Sequence, residues 1–394
     1  MISDRVHRIQ PSFTLEMTAK AAALRNQGID VIDMGVGEPD FNTPENIRLA
    51  AKKAMDEGFT KYTPGSGLLE LRQAICKKLQ RDNGIVFSPD QIIVSNGAKH
   101  SLSTACQVLL NPGDEAVIFS PYWVSFPEFI RLADGVPIVV NTLSEQDFTP
   151  DFDDLEKKIT PNIRLMIINS PSNPTGAVWD KTTISRLLDY ASEEKWTVIS
   201  DECYEKLVYD ELFTSTEKFN QTGATVLTIQ SLSKTYAMTG WRIGYAAGSP
   251  DIIKAMGKIQ GQATSCPNSI GQKAAVEALS GSQEPVEEMK AKFRTRRHLM
   301  IQKLTDIKNV TCALPGGAFY AFPDISYYLG TNSNGKKIET SFQLSDYILE
   351  SVRTVTVAGS GFGGEGHIRL SYATDEKNIA EGISRIEEAL SQLE

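Results

Sequence analysis

The chain has 394 residues, a formal net charge of -9, 41% hydrophobic and 23% charged residues. That composition excludes a disordered, low-complexity or fibrous protein, and the acidic balance opposes general attraction to nucleic acid or an anionic membrane. The length exceeds what one hydrophobic core usually supports, so a large domain and a smaller one are expected.

Residues 1–14 are polar and read as an N-terminal arm, which suggests an oligomer that would bury it. Residues 15–28 (LEMTAKAAALRNQG) read as a helix ending at Gly28. VIDMGVGEPDF then reads as a short strand entering a Gly/Pro turn, followed by a helix with Pro44 near its first turn. The loop KYTPGSG precedes the helix LLELRQAICKKLQ.

From about residue 90 the texture alternates. QIIVSNGA, DEAVIFSP, GVPIVVN, RLMIINSP, WTVISDE and TVLTIQSLSK read as strands, most of them separated by helical segments. This is the pattern of an α/β fold with a mainly parallel sheet covered by helices on both faces. Polar motifs follow directly after these strands, and ligands in such sheets bind at the carboxyl ends of strands. Beyond residue 285 come a long charged helix, a strand GGAFYAFP, and then a strand, a Gly-rich loop, a strand and a terminal helix. The expected division is an arm (1–14), a large domain (45–285) and a small α/β domain (15–44 with 286–394).

Five scattered cysteines without C-x-x-C spacing suggest neither a disulfide framework nor a zinc site. No apolar run approaches a membrane span and no signal-peptide core opens the chain, so a cytoplasmic location without membrane association is expected. GSGFGGEG satisfies G-x-G-x-x-G at Gly359, Gly361 and Gly364, but it joins two strands and opens no helix, which argues against a dinucleotide fingerprint. His7, His100, His298 and His367 have no metal-ligand spacing, so no metal is expected. Arg294, Arg296 and Arg297 read as the solvated face of a charged helix.

The chemistry concentrates in SLSKTYAMTGWRIGY. Ser231, Ser233 and Arg242 suit a phosphate, since hydroxyls donate hydrogen bonds and guanidinium makes charge-assisted ones. Lys234 between them can form a Schiff base with an aldehyde on the same ligand, and burial would lower its pKa enough to make it nucleophilic. Pyridoxal 5'-phosphate (PLP) is such a ligand. Asp201 ends an apolar strand, where a carboxylate can keep a pyridine nitrogen protonated; the alternative is a helix N-cap. Tyr204 and Asn173 are candidate donors to the ring's phenolic oxygen. The turn at Gly97 and Ala98 presents backbone N–H groups to an anion.

SLSKTYAMTGWRIGY resembles the lysine motif of the class I/II aminotransferases of PLP fold type I. The likeness extends through PSFTLEMTAKA, GVGEPDF, KYTPGSG, SNGAKHSL, SPYWVSFPE, NSPSNPTGAV, SDECYEKLVY, PGGAFYAF and HIRLSYA. The resemblance implies that Lys234, Asp201 and Tyr204 are catalytic. Gly97, Ala98 and Lys99 would offer N–H groups to the phosphate, with the Lys99 side chain directed to solvent. Trp123 would stack on the ring, Arg369 would bind the substrate α-carboxylate, and Gly37, Trp123 and Asn173 would face the substrate. Tyr62 would reach the phosphate of a neighbouring subunit, implying a homodimer.

The implied activity is ping-pong transfer of an amino group between an L-amino acid and a 2-oxo acid, with wording closest to the bacterial aspartate aminotransferase subgroup. Aromatic amino acids, alanine or prephenate as substrates remain open, although Gln10 stands where prephenate-accepting relatives carry lysine. A PLP-dependent β-lyase and a catalytically silent PLP-binding module are the rival readings.

Overall fold

The computed structural model describes residues 2–10, 13–333 and 335–393. Its centre is an eight-stranded sheet in the order Ile92–Ser95, Gly244–Ala247, Thr225–Ser231, Thr197–Asp201, Ile163–Asn169, Glu115–Ser120, Val136–Leu143, Thr149–Pro150. The five strands from Thr225–Ser231 to Val136–Leu143 run parallel, whereas Gly244–Ala247 and Thr149–Pro150 are antiparallel to their neighbours. These strands are Val- and Ile-rich because both faces are covered. Ile93, Ile118, Ile167, Ile199 and Ile229 pack on one side; Val117, Met166, Ile168 and Val198 pack on the other.

A second region holds the antiparallel strands Tyr320–Ala321, Ile368–Ser371 and Val357–Ala358, the helices Ser341–Val352 and Glu376–Ser391, and the long helix Glu284–Asp306. Ile32–Asp33 pairs in parallel with Thr354–Val355, which ties the N-terminal segment to this region. Its core joins Phe293, Met300, Phe319, Leu370, Ile383 and Ile386 to Tyr204 and Leu207 from beyond the large sheet.

Several expectations shift in detail. The helix expected over 15–28 spans Phe13–Asn26, with Gly28 at φ +79° just past its end. The arm contains a short helix, Asp4–His7, and Arg5 and Arg8 pair with Asp134; Pro11 and Ser12 lie outside the described residues. GGAFYAFP supplies only a two-residue strand, Tyr320–Ala321. The Gly-rich segment forms a 3-10 turn, Gly359–Phe362, and opens no helix.

The arginine cluster departs furthest from expectation. Arg296 is buried and pairs with both Asp40 oxygens at 2.7 and 2.9 Å, while fully buried Arg297 pairs with Asp210 at 2.7 and 3.1 Å and donates to the Pro315 carbonyl. Arg294 donates to the Tyr209 carbonyl. Arg294 is exposed as expected, but Arg296 and Arg297 are not a solvated face. They clamp the loops after residues 35 and 209 onto the helix, through bidentate geometry available only to arginine.

Candidate active site

The carboxyl ends of the central strands and the second region enclose a cleft of about 610 Å³. Its lining includes Gly37, Ala98, Lys99, Trp123, Asn173, Asp201, Tyr204, Ser231, Ser233, Lys234, Arg242 and Arg369. Residues spread over more than 330 positions of sequence converge: Ala98, Lys99, Trp123, Asn173, Asp201, Tyr204, Ser231, Ser233 and Lys234 stand at or beyond carboxyl ends of the large sheet's strands, Arg242 precedes its antiparallel strand Gly244–Ala247, and Gly37 and Arg369 come from the second region.

At one end lies an anion cradle. Gly97 at φ +86° caps the helix Ala98–Leu109, whose first N–H groups have no partner inside the helix. A Cβ at Gly97 would stand 2.5 Å from Arg242 Nη2, so glycine is required for the guanidinium to approach that helix end. Arg242 itself sits at φ +55°, a left-handed conformation uncommon for a non-glycine residue, and donates to the Thr239 carbonyl at 2.8 Å. The Ser231 and Ser233 hydroxyls lie 2.9 Å apart beside it. This set of hydroxyls, guanidinium and helix N–H groups fits a phosphate monoester.

Lys234 lies within the short helix Leu232–Thr235 and donates from Nζ to the Gly37 carbonyl. Burial lowers its pKa to about 8, which leaves a substantial fraction of neutral amine at physiological pH. Asp201, 4% exposed, accepts the Cys203 N–H at 3.2 Å, and burial pushes its carboxyl up to about 6. Burial thus disfavours its charge relative to an exposed aspartate, and a cationic ring N–H brought against it would stabilise both charges. Asp201 is not a helix N-cap, since no helix follows its strand directly.

On the opposite wall, buried Arg369 donates from Nη1 to Asn173 Oδ1 at 3.0 Å and from Nη2 to the Gly35 carbonyl at 2.7 Å. Its Nε is buried and has no hydrogen-bond partner among the described residues. A desolvated guanidinium with an unused N–H in a cleft is suited to a carboxylate ligand. Its ring contacts, 4.5 Å over Tyr320 and 5.0 Å over Phe362, hold the plane in place.

Trp123 packs edge-on to Phe126 and Phe129 while facing the cleft, so its core-packing and site roles coexist. Lys99 is exposed, as the resemblance implies, but its ammonium also lies 5.0 Å over the Trp123 ring at the cleft, and desolvation, then Arg242, lower its pKa. Tyr62 does not join this cleft; it is 90% exposed.

Sequence reasoning missed Asn169 and Tyr320. Asn169 accepts the Asn173 N–H at 3.0 Å and donates to the Asp201 carbonyl at 3.2 Å, coupling two site segments. Both residues lie within or beside quoted motifs, but neither has a residue type that singles it out. Among the described residues, no cluster of three or more His, Cys, Asp or Glu is arranged to hold a metal ion, and no helix is long and apolar enough to cross a membrane.

The fold and this constellation agree with the comparisons with known proteins. The family model "Aminotransferase class I and II" matches residues 29–386, and the chain belongs to that family. It is 44% identical to an aspartate aminotransferase of Bacillus sp. (strain YM-2) over 389 residues, covering 98% of each chain. An aspartate/prephenate aminotransferase of Cereibacter sphaeroides is also 44% identical, over 391 residues and 98% of each chain. The solved structure of Thermus thermophilus aspartate aminotransferase with maleate superposes with a TM-score of 0.93 at 39% identity, covering 99% of each chain.

Proposed function

We propose that this protein is a PLP-dependent transaminase that exchanges an amino group between L-aspartate or L-glutamate and the corresponding 2-oxo acids. The observation that carries the reading is the placement of a depressed-pKa lysine, Lys234, in one cleft with a buried Arg369 whose Nε lacks a partner. The chemistry the coenzyme supplies is an aldehyde to take up the amino group and a ring to accept electrons released at the substrate Cα.

The residues of the chain do the rest. Ser231, Ser233, Arg242 and the N–H groups of Gly97, Ala98 and Lys99 hold the phosphate, and Asp201 holds a proton at the ring nitrogen. Tyr204 and Asn173 donate towards the phenolic oxygen, and Trp123 covers the ring face. Arg369 binds the α-carboxylate and fixes which Cα bond faces Lys234, whose amine removes and returns the proton. Gly37, with room for no more than a Cβ 3.4 Å from the Tyr320 hydroxyl, lets the backbone approach the substrate.

The side chain of a dicarboxylic substrate needs a second cation. Among the described residues, Arg25 in the cleft already pairs with Asp33 at 3.3 Å, whereas Lys99 makes only its contact with the Trp123 ring. Lys99 therefore supplies that charge. Lys99→Met should lower kcat/KM for aspartate by roughly 10- to 100-fold, the loss of one charge-assisted bond, and leave alanine nearly unchanged. Equal losses for both donors would refute this placement.

The activity itself is tested by adding aspartate, glutamate, alanine and tyrosine separately to the coenzyme-loaded protein and following its visible absorbance, and then adding 2-oxoglutarate, oxaloacetate or prephenate as amino acceptors to the bleached protein. Bleaching that is fastest with aspartate or glutamate supports the reading. Retention of the band with every donor, fastest conversion of alanine or tyrosine, or fastest return of the band with prephenate overturns the substrate assignment. The exposed Tyr62 is assigned to the phosphate of an adjacent subunit, so the active unit is a homodimer. The segments 15–44 and 286–394 form its small domain, in keeping with the pairing of Ile32–Asp33 with Thr354–Val355.

A further inference from the structure

Tyr320 is 1% exposed, yet its hydroxyl belongs to the cleft. It lies 2.9 Å from the Tyr204 hydroxyl, and no other hydrogen bond is made by either group among the described residues. The two rings meet nearly edge-on, 5.8 Å apart, and both pack on Phe319, so neither hydroxyl can swing away without disturbing the core. The Arg369 guanidinium stands 4.5 Å over the Tyr320 ring.

Two hydroxyls in contact carry two protons, and only one of those protons can lie between them. If Tyr204 donates into the cleft, Tyr320 must donate to Tyr204. We infer that Tyr320 is a positioning residue that donates its hydroxyl proton to Tyr204, orients the Tyr204 proton into the cleft, and links that proton to the seat of Arg369.

The direction of donation follows from the surroundings. Burial raises the pKa of both tyrosines, and the Arg369 charge offsets part of the rise in both; it stands directly over the Tyr320 ring, where it is the main counterweight to burial, so Tyr320 is the more acidic and the better donor. The other ionisable groups facing the pair are Cys203, beside Tyr204, and Lys234 and Asp201 in the same cleft. A hydroxyl that accepts a hydrogen bond becomes a stronger donor through its own proton. Tyr320 thereby strengthens the bond Tyr204 makes to a phenolic oxygen, and stronger donation there withdraws electron density from the site that competes for the Lys234 nitrogen proton. The inference rests on the proposed coenzyme occupying this cleft.

The test is a pH titration of the visible absorbance of coenzyme-loaded protein, run on wild type, Tyr320→Phe, Tyr204→Phe and the double variant. Tyr320→Phe preserves ring volume and the Arg369 contact. Its absorbance midpoint should rise by about half a unit or more, in the same direction as Tyr204→Phe but by less. The double variant should shift no further than Tyr204→Phe alone, because the effect of Tyr320 passes through Tyr204. A Tyr320→Phe midpoint equal to wild type, or additive shifts in the double variant, would overturn the inference. Absence of a visible band in wild type would instead overturn the coenzyme assignment, so the two failures are distinguishable.

Discussion

Replacing Lys234 with alanine is expected to lower turnover by about 10⁴-fold or more, at the upper end of what a positioned general base contributes. The side chain is a desolvated amine in the same cleft as Arg369, and the Gly37 carbonyl holds its Nζ in place. Single-turnover conversion of aspartate by purified, folded protein reads the loss directly. Turnover within tenfold of wild type would remove Lys234 from the chemistry. A second consequence concerns pH. Only the neutral amine captures an aldehyde, and the Lys234 pKa is lowered to about 8 by burial. Capture of PLP by the apoprotein should therefore accelerate as pH rises towards about 8 and level off above it. An ordinary surface lysine would keep accelerating to about pH 10.4. Rates that climb without a plateau would show that Lys234 is not desolvated.

The parts of this site legible in the sequence share a physical cause. Apolar strands of four to seven residues mark where a buried sheet ends, and Asp201, Ser231 and Gly97 stand at or just beyond such ends. Hydroxyls, an arginine and a lysine packed within twelve residues then name a phosphate and a nucleophile with no tertiary information. What stayed illegible depends on contacts distant in sequence. Arg296 and Arg297 look solvated on a charged helix, and only the folded chain brings Asp40 and Asp210 to them across 256 and 87 positions. Tyr62 is the converse case. Its motif suggests a phosphate contact, yet within one chain it is 90% exposed, and the proposed contact would be completed only by a second subunit. Tyr320 sits in the segment GGAFYAF as one aromatic beside another. Only the sheet register, with Tyr320 opposite Ser371, decides which ring turns to the cleft.

Lys78 shows the same limit with a larger energetic consequence. In KKLQ at the end of a helix it reads as a surface lysine, but it is 2% exposed. Its three ammonium protons are all used: Nζ donates to Glu205 Oε1, to Asn83 Oδ1 at 2.9 Å and to Gln230 Oε1 at 2.6 Å. Glu205 also accepts from Asn83 at 2.7 Å, and Gln230 reaches Glu202 at 2.9 Å. Glu202 and Glu205 alternate with Asp201 and Tyr204 along one turn, and Gln230 immediately precedes Ser231. The network therefore fastens, from behind, the two strand ends that carry the coenzyme-facing groups. Lys78→Met should cost about 3–5 kcal/mol of unfolding free energy, because it leaves the Glu205 carboxylate buried without its counter-charge. Lys78→Met combined with Glu205→Gln should recover most of that loss, since no uncompensated charge is left and the glutamine can still accept from Asn83. Denaturant unfolding of the apoproteins distinguishes the cases. A single variant as stable as wild type would mean that water reaches the pair, and a double variant no better than the single one would assign the loss to packing of the lysine stem.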